Sequence, residues 1–249
     1  MAKQNGILRI QGTLENLTFY KSADGLLVRT RGGVSKERIA SDPAFARTRE
    51  NGAEFAHSAQ AGKMLRHAMS KMVFKAKDRH VSSRLLKVMS ELKNLDSANV
   101  RGQRNVSKGL TAPNATLLLK GFDFNSRSPM QTVLSATPEL DLATGTVTLT
   151  DLNPIEELRA AEGATHFSMQ SAFLNLDFST GIAEVQYSPL VTQPIAPTAV
   201  TVTLTPAAVP AGGGTQMYFL LVEFFQEVNG MLYHLNNGGS NALSILEVV

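Results

Sequence analysis

The chain has 249 residues, 43% of them apolar and 18% charged, which is enough apolar material for a packed core and argues against disorder. It contains no Cys and no Trp, which excludes disulfides, thiol nucleophiles and Cys-ligated zinc or iron–sulfur sites. The net charge of +3 hides a division: residues 1–110 hold 21 Lys/Arg and 9 Asp/Glu, a balance of +12, whereas residues 111–249 hold 3 and 12, a balance of −9.

The opening MAKQNGILRIQGT has no apolar run of signal-peptide length, because Asn5, Arg9 and Gln11 interrupt it. No window approaches the roughly 18 apolar residues of a membrane helix. The longest stretch, Met217 to Phe225, is broken by Glu223. A cytoplasmic protein without a membrane span is the expectation.

Residues 1–32 read as a small β-meander arm. Ile7 to Gln11, Asn16 to Lys21 and Leu26 to Arg31 are its strands, with a turn at Gly12-Thr13 and a hairpin at Ser22-Ala23-Asp24-Gly25, where Gly tolerates positive φ. Residues 33–110 read as a basic helical hairpin and a linker, entered through the connector 32–42. Asp42-Pro43 opens the first helix by capping and by placing Pro where no donor is needed. That helical region runs to about Ala76, supplied with Phe45, Phe55, Leu65, Met69, Met72 and Val73. Small residues (Ala53, Ala56, Ala59, Ala61, Gly62) give it a close-packing middle, and Asn51-Gly52 is a candidate break. A second helix spans Asp78 to Leu95, with Val81, Leu85, Val88, Leu92 and Leu95 forming one stripe. Residues 97–114 are polar, basic and punctuated, and form the linker.

Residues 111–249 read as an acidic antiparallel β-sandwich. Its strands are Thr116–Phe124, Gln131–Ala136, Leu140–Leu152 with a turn at 143–145, Ser171–Phe178, Ile182–Tyr187, Ala199–Thr205, Gln216–Val228, Met231–Leu235 and Ala242–Val248. One short helix, Ile155 to Glu162, follows Asn153-Pro154. The fold class is therefore α+β: a β-hairpin arm, a helical hairpin and a sandwich.

Catalytic motifs are missing from the sequence. The five His stand at no metal-ligand spacing, and neither HExxH, GxSxG, GxGxxG nor a P-loop occurs. Gly212-Gly213-Gly214 reads as a hairpin tip. Asp123-Phe124-Asn125 lacks the Gly and Glu of a calcium loop. Asp141, Asp151 and Asp177 sit beside turns, where Asp bonds its own backbone. No catalytic residue, metal or cofactor is assigned, and the expectation is a non-enzymatic protein.

The first hundred residues, with MAKQNGILRIQGTLENLTFYKSADG and then DPAFARTRENGAEFAHSAQAGKMLR, resemble a family of short bacterial proteins of Bacteroidota type that carries no established activity. The resemblance covers about residues 1–105 and implies a bacterial cytoplasmic protein. The β-rich part has the general look of immunoglobulin-like or tail-tube-like subunits, an analogy of fold alone.

Opposite charge on two parts of one chain points to self-assembly into a filament, tube or lattice, the basic part of one copy meeting the acidic part of another. Interface anchors by residue type are Leu17, Phe19 and Tyr20 in the arm, with Arg47, Arg49, Arg66 and Arg84 as charge partners. The alternative is a nucleic-acid-binding protein, using the Lys and Arg clustered on the helices.

Overall fold

A computed structural model of the chain describes residues 2–4, 10–30, 33–235 and 238–249. Helices and antiparallel sheets coexist, so the class is α+β. The chain forms two compact units, Met1–Arg49 and Glu50–Val249.

The first unit is a four-stranded antiparallel sheet followed by short helical turns. Its strands are β1 (Ala2–Lys3), β2 (Gly12–Leu14), β3 (Leu17–Ser22) and β4 (Gly25–Thr30), in the order β1-β4-β3-β2. The Asp24-Gly25 hairpin forms as the sequence dictates: Ser22 pairs with Gly25, whose φ is +110°, and the Ser22 hydroxyl accepts the Asp24 amide at 3.1 Å. The earlier turn falls at Glu15-Asn16 rather than Gly12-Thr13, because Leu14 pairs with Leu17 and Glu15 takes φ +49°. Residues 7–9 of the expected first strand lie outside the described residues, as do Arg31 and Gly32. The connector contains a helix the sequence reading omitted, α1 (Lys36–Ser41), capped by the Ser35 hydroxyl at the Arg38 amide. Asp42 then caps the 3-10 turn Pro43–Phe45 through the Ala44 amide.

The helix α2 (Ala46–Ala68) begins at the end of the first unit and continues in the second, where it meets α3 (Ser70–Lys75) at Met69 and is unbroken at Asn51-Gly52. The buried face of α2 is Glu54, Ser58, Ala61, Gly62 and Leu65. Ala53, Ala56 and Ala59 fall on the exposed side, and Phe55 is exposed as well. Gly62 lies where an added Cβ would touch Leu85 and Met89, so the small face does pack closely against α4 (Val81–Asn94). The α4 face is Val81, Leu85, Met89 and Leu92. Val88 is half-buried and Leu95 exposed, since the true period is nearer 3.6 than 3.5.

Between this hairpin and the sheets, two expected strands begin as helical turns and are extended only at their ends, where Asp123 bridges Ser244 and Leu134 bridges Leu158. Residues 116–124 contain a 3-10 turn, Ala115–Leu118, after the short α5 (Val106–Gly109), and residues 131–136 contain α6 (Met130–Val133). The reason is the spacing of the buried positions. Ala115, Leu119 and Phe122 recur at four and three, and Met130, Val133 and Leu134 at three and one, whereas a strand buries alternate residues.

Two antiparallel sheets follow. The smaller is β5 (Glu139–Leu140), β6 (Val147–Leu152) and β10 (Val200–Leu204), in the order β10-β6-β5. The helical turn α7 (Pro154–Glu157) is shorter than expected. The larger sheet is built on β7 (His166–Leu176) and β11 (Thr215–Val228), which pair along eleven residues. β8 (Ala183–Tyr187) and β9 (Val191–Pro194) pair with β7, and β12 (Met231–His234) and β13 (Ala242–Val248) pair with β11. The sequence reading omitted β9 and the first five residues of β7.

Strand alternation sorts β11 between two cores. Met217, Phe219 and Leu221 pack with Leu65, Met69, Leu85 and Leu92 of the helices. Leu220, Val222 and Phe224 pack with Val147, Leu149, Val202 and Leu204 of the small sheet. The centre of the large sheet, where β7, β11 and β13 pair, is thus buried on both faces, the middle of three layers: helices, large sheet, small sheet; β12 is exposed. Because neither face meets water, β7 and β11 read as nearly continuous apolar runs.

Candidate functional site

The helical layer presents one side chain that its own core does not use. Along α3 and its exit, Met69, Met72, Val73 and Ala76 are buried at helical spacing. That phase turns Ser70, Lys71, Phe74 and Lys77 outward, and Phe74 is 79% exposed. Lys77 Nζ lies 5.3 Å from the Phe74 ring centre, and Lys71 Nζ lies 5.3 Å from the ring of Tyr187 on β8.

Behind Phe74 lies a buried carboxylate. Glu223 occupies the helix-facing phase of β11, in line with Met217, Phe219 and Leu221, and is 0% exposed. Lys75 Nζ donates to its Oε2 at 2.8 Å. Its Oε1 has no hydrogen-bond partner; the His234 Nδ1 lies 3.8 Å away, beyond bonding distance. Asn241 ties the strand to the helix, accepting the Phe224 amide through Oδ1 and donating through Nδ2 to the Lys75 carbonyl. Gly238 is required there, because its φ is +77° and a Cβ would lie 2.4 Å from the Lys75 carbonyl oxygen. Phe74, Lys75, Lys77, Glu223 and His234 together line a concavity of about 570 Å³. A second of about 600 Å³ lies between Phe74 and Tyr187, and a third of about 460 Å³ between Phe74, Arg66 and Arg79.

A different cluster is structural. Glu54, buried in α2, receives both Nε and Nη2 of Arg104 at 2.8 Å, the Gly102 amide at 2.8 Å, and Lys93. The Arg104 fork holds its carboxyl well below the usual range. Nearby, the His57 Nε2 accepts the Val106 amide at 3.1 Å, so its proton sits on Nδ1.

The residues named from sequence fall in different places. Leu17 and Phe19 share one face of the first unit's sheet with Leu14, Leu26 and Val28, and Tyr20 lies on the other face beside Leu27. Arg47 is exposed near the start of α2. Arg49 is used locally, its Nη1 donating to the carbonyls of Ile39 and Asp42 at 2.7 and 2.9 Å. Arg66 stands with Lys77 and Arg79, its Nε buried and without a partner. Arg84 is turned inward, which corrects its reading as a charge partner for another molecule. Its guanidinium donates to the carbonyls of Asp123 and Phe124 at 2.6 and 3.1 Å and to Asp78 Oδ2 at 2.6 Å, and lies over the Phe122 ring. Sequence reading missed Phe74, Glu223 and His234; a lone Glu inside the apolar run 217–225 was the one available signal.

Among the described residues no group of three or more His, Asp or Glu is placed to hold a metal ion, and no helix is long and apolar enough to cross a membrane. No family model, curated protein or solved structure matches the chain.

Proposed function

We propose that the chain is a self-assembling structural subunit, the helical layer of one copy docking on the small-sheet layer of the next. The observation that supports this is the opposite charge of the two outer layers of the second unit. Lys63, Lys71, Lys77 and Arg79 are exposed on the helical layer; Glu139, Asp151 and Glu156 are exposed on the small sheet and α7. Among the described residues these three acids meet no cationic side chain at ion-pair distance. Layers stack about 10 Å apart, so the mid-planes of the two outer layers lie roughly 20 Å apart and their exposed charges farther, more than about two Debye lengths in ordinary buffer. They neutralise each other poorly within a copy and well between copies. Such a contact joins two different faces, so it propagates into a ring or a filament.

The first unit supplies a second reason to dock. Among its described residues only Leu27 is buried. Leu14, Leu17, Phe19, Leu26 and Val28 make one face of its sheet apolar, and Leu14 is 62% exposed. A small sheet with so little core is stable only against something else.

The test uses two charge-reversed chains, Glu139→Lys/Asp151→Lys/Glu156→Lys and Lys63→Glu/Lys71→Glu/Lys77→Glu. Each alone should stay small in light scattering, and the mixture should assemble. Assembly of each variant on its own, as readily as the parent chain, would refute docking through these faces.

A further inference from the structure

An exposed Phe ringed by cations is expensive as decoration and useful as a platform. The three concavities that meet at Phe74 are lined by Arg66, Lys71, Lys75, Lys77 and Arg79. Of the two acids that also line them, Asp78 is matched to Arg84 and Glu223 takes up Lys75 through Oε2 alone, so Arg66, Lys71, Lys77 and Arg79 are the cations left over. The surface they leave is positive, which favours a polyanion.

Two further features narrow the ligand. An aromatic ring open to solvent among lysines stacks on a planar base, worth about 1–3 kcal/mol per base. The Glu223 Oε1, wholly buried and without a partner, shares its concavity with that ring and needs a hydrogen-bond donor. A volume of about 570 Å³ is ample for one nucleotide. A base with an exocyclic amino group presents a flat face to Phe74 and an N–H donor to Glu223, and its phosphates fall to the lysines. A base held in a duplex offers neither its face nor room for a side chain to reach it.

We propose that the Phe74 surface binds single-stranded nucleic acid, seating one amino-bearing base between Phe74 and Glu223 while Lys71 and Lys77 contact the flanking phosphates. This goes beyond the assembly reading and shares Lys71 and Lys77 with it; the two are told apart by the choice of base, to which charge docking between copies is indifferent.

The probe is fluorescence anisotropy of the full chain with labelled oligo(dC), oligo(dT) and a duplex of the same length, at two salt concentrations. Oligo(dC) should bind more tightly than oligo(dT) and than the duplex. Phe74→Ala changes no charge and removes an exposed ring, so it should leave the fold intact while weakening oligo(dC) by about 5- to 150-fold. Lys71→Ala/Lys77→Ala should lower the slope of log affinity against log salt by about 0.7 per lost phosphate contact. Glu223→Gln, read only if its circular dichroism matches the parent, should narrow the gap between oligo(dC) and oligo(dT). Absence of binding, equal affinity for oligo(dC) and oligo(dT), or an unchanged affinity in Phe74→Ala would overturn the proposal.

Discussion

Lys75 Nζ lies 2.8 Å from Glu223 Oε2, joining a six-residue helix to the longest strand across 148 positions of sequence. The carboxylate is fully buried and the ammonium about one-third exposed. A pair of this kind stabilises weakly in itself, but losing one member leaves a buried charge alone. Lys75→Met should therefore cost about 3 kcal/mol, a fall of roughly 6–12 °C in Tm, and Lys75→Met/Glu223→Leu should recover most of it. Thermal unfolding of the two variants checks this. A double variant no more stable than the single one would show that the pair is not what matters.

Stability should fall in acid. Hydrogen bonds from Arg104 hold Glu54 below its ordinary 4.5. Burial pushes Asp78 and Asp96 up, but hydrogen bonds outweigh it, from Ser126, His80 and Arg84 for the first and from Asn99, Asn105 and Ala98 for the second, and both end below 3.8. Burial lowers His57 from 6.5. All four groups take up protons more readily in the unfolded chain. Their contribution is complete above 6.5, starts to fall there with His57, and falls further below 4.5 with the carboxylates. Asp123, raised by burial above 3.8, works in the opposite sense, one carboxylate against the lowered groups, Asp42, Asp141 and Asp177 among them. The unfolding midpoint should drop between about pH 7 and about pH 4, and a flat profile would contradict this assignment.

One turn occurs twice, as Asp141-Leu-Ala-Thr-Gly145 and Asp177-Phe-Ser-Thr-Gly181. In each, the Asp carboxylate accepts from the backbone two residues on and from the Thr hydroxyl, and the Gly amide returns to the Asp carbonyl at 2.8 Å. The Ser and Thr bonds pull Asp177 down to about 2. The glycines have φ of +74° and +78° but different neighbours. A Cβ on Gly145 would lie 2.7 Å from the Phe173 ring, and one on Gly181 would lie 3.2 Å from the end of Met64, which can move. Gly145→Ala should cost about 2–4 kcal/mol and Gly181→Ala about 1 kcal/mol. Urea unfolding of the pair would show equal losses if backbone strain alone decided the cost.

Where a local rule governs, the sequence was legible. The Asp24-Gly25 hairpin, the Asp42-Pro43 cap, the Val81, Leu85 and Leu92 members of the α4 stripe, and β8, β10, β11, β12 and β13 follow from turn chemistry and periodicity. The sequence over Thr116–Phe124 and Gln131–Ala136 reads as strands because an apolar run without clear alternation does not distinguish a short strand from a helical turn; the spacing of the buried positions and the positive φ of Asn114 and Gly121 break the ambiguity. Arg84 and Phe74 show the other limit. Both look like ordinary members of a basic amphipathic stretch, and only tertiary packing turns the arginine inward onto Asp123 and the phenylalanine out. Glu54 gives no sign of burial in the sequence, since its partners lie 39 to 50 residues away, and Glu223 shows itself only as a lone acid in an apolar run, its partner 148 residues away.

Head-to-tail assembly driven by layer charge is most directly tested by sedimentation velocity of the unmodified chain at about 50 mM and about 500 mM salt, where screening goes from weak to strong. Particles far heavier than the 26.8 kDa chain are expected at low salt, shifting toward the single chain at high salt. A monomer at every concentration and both salts would contradict it.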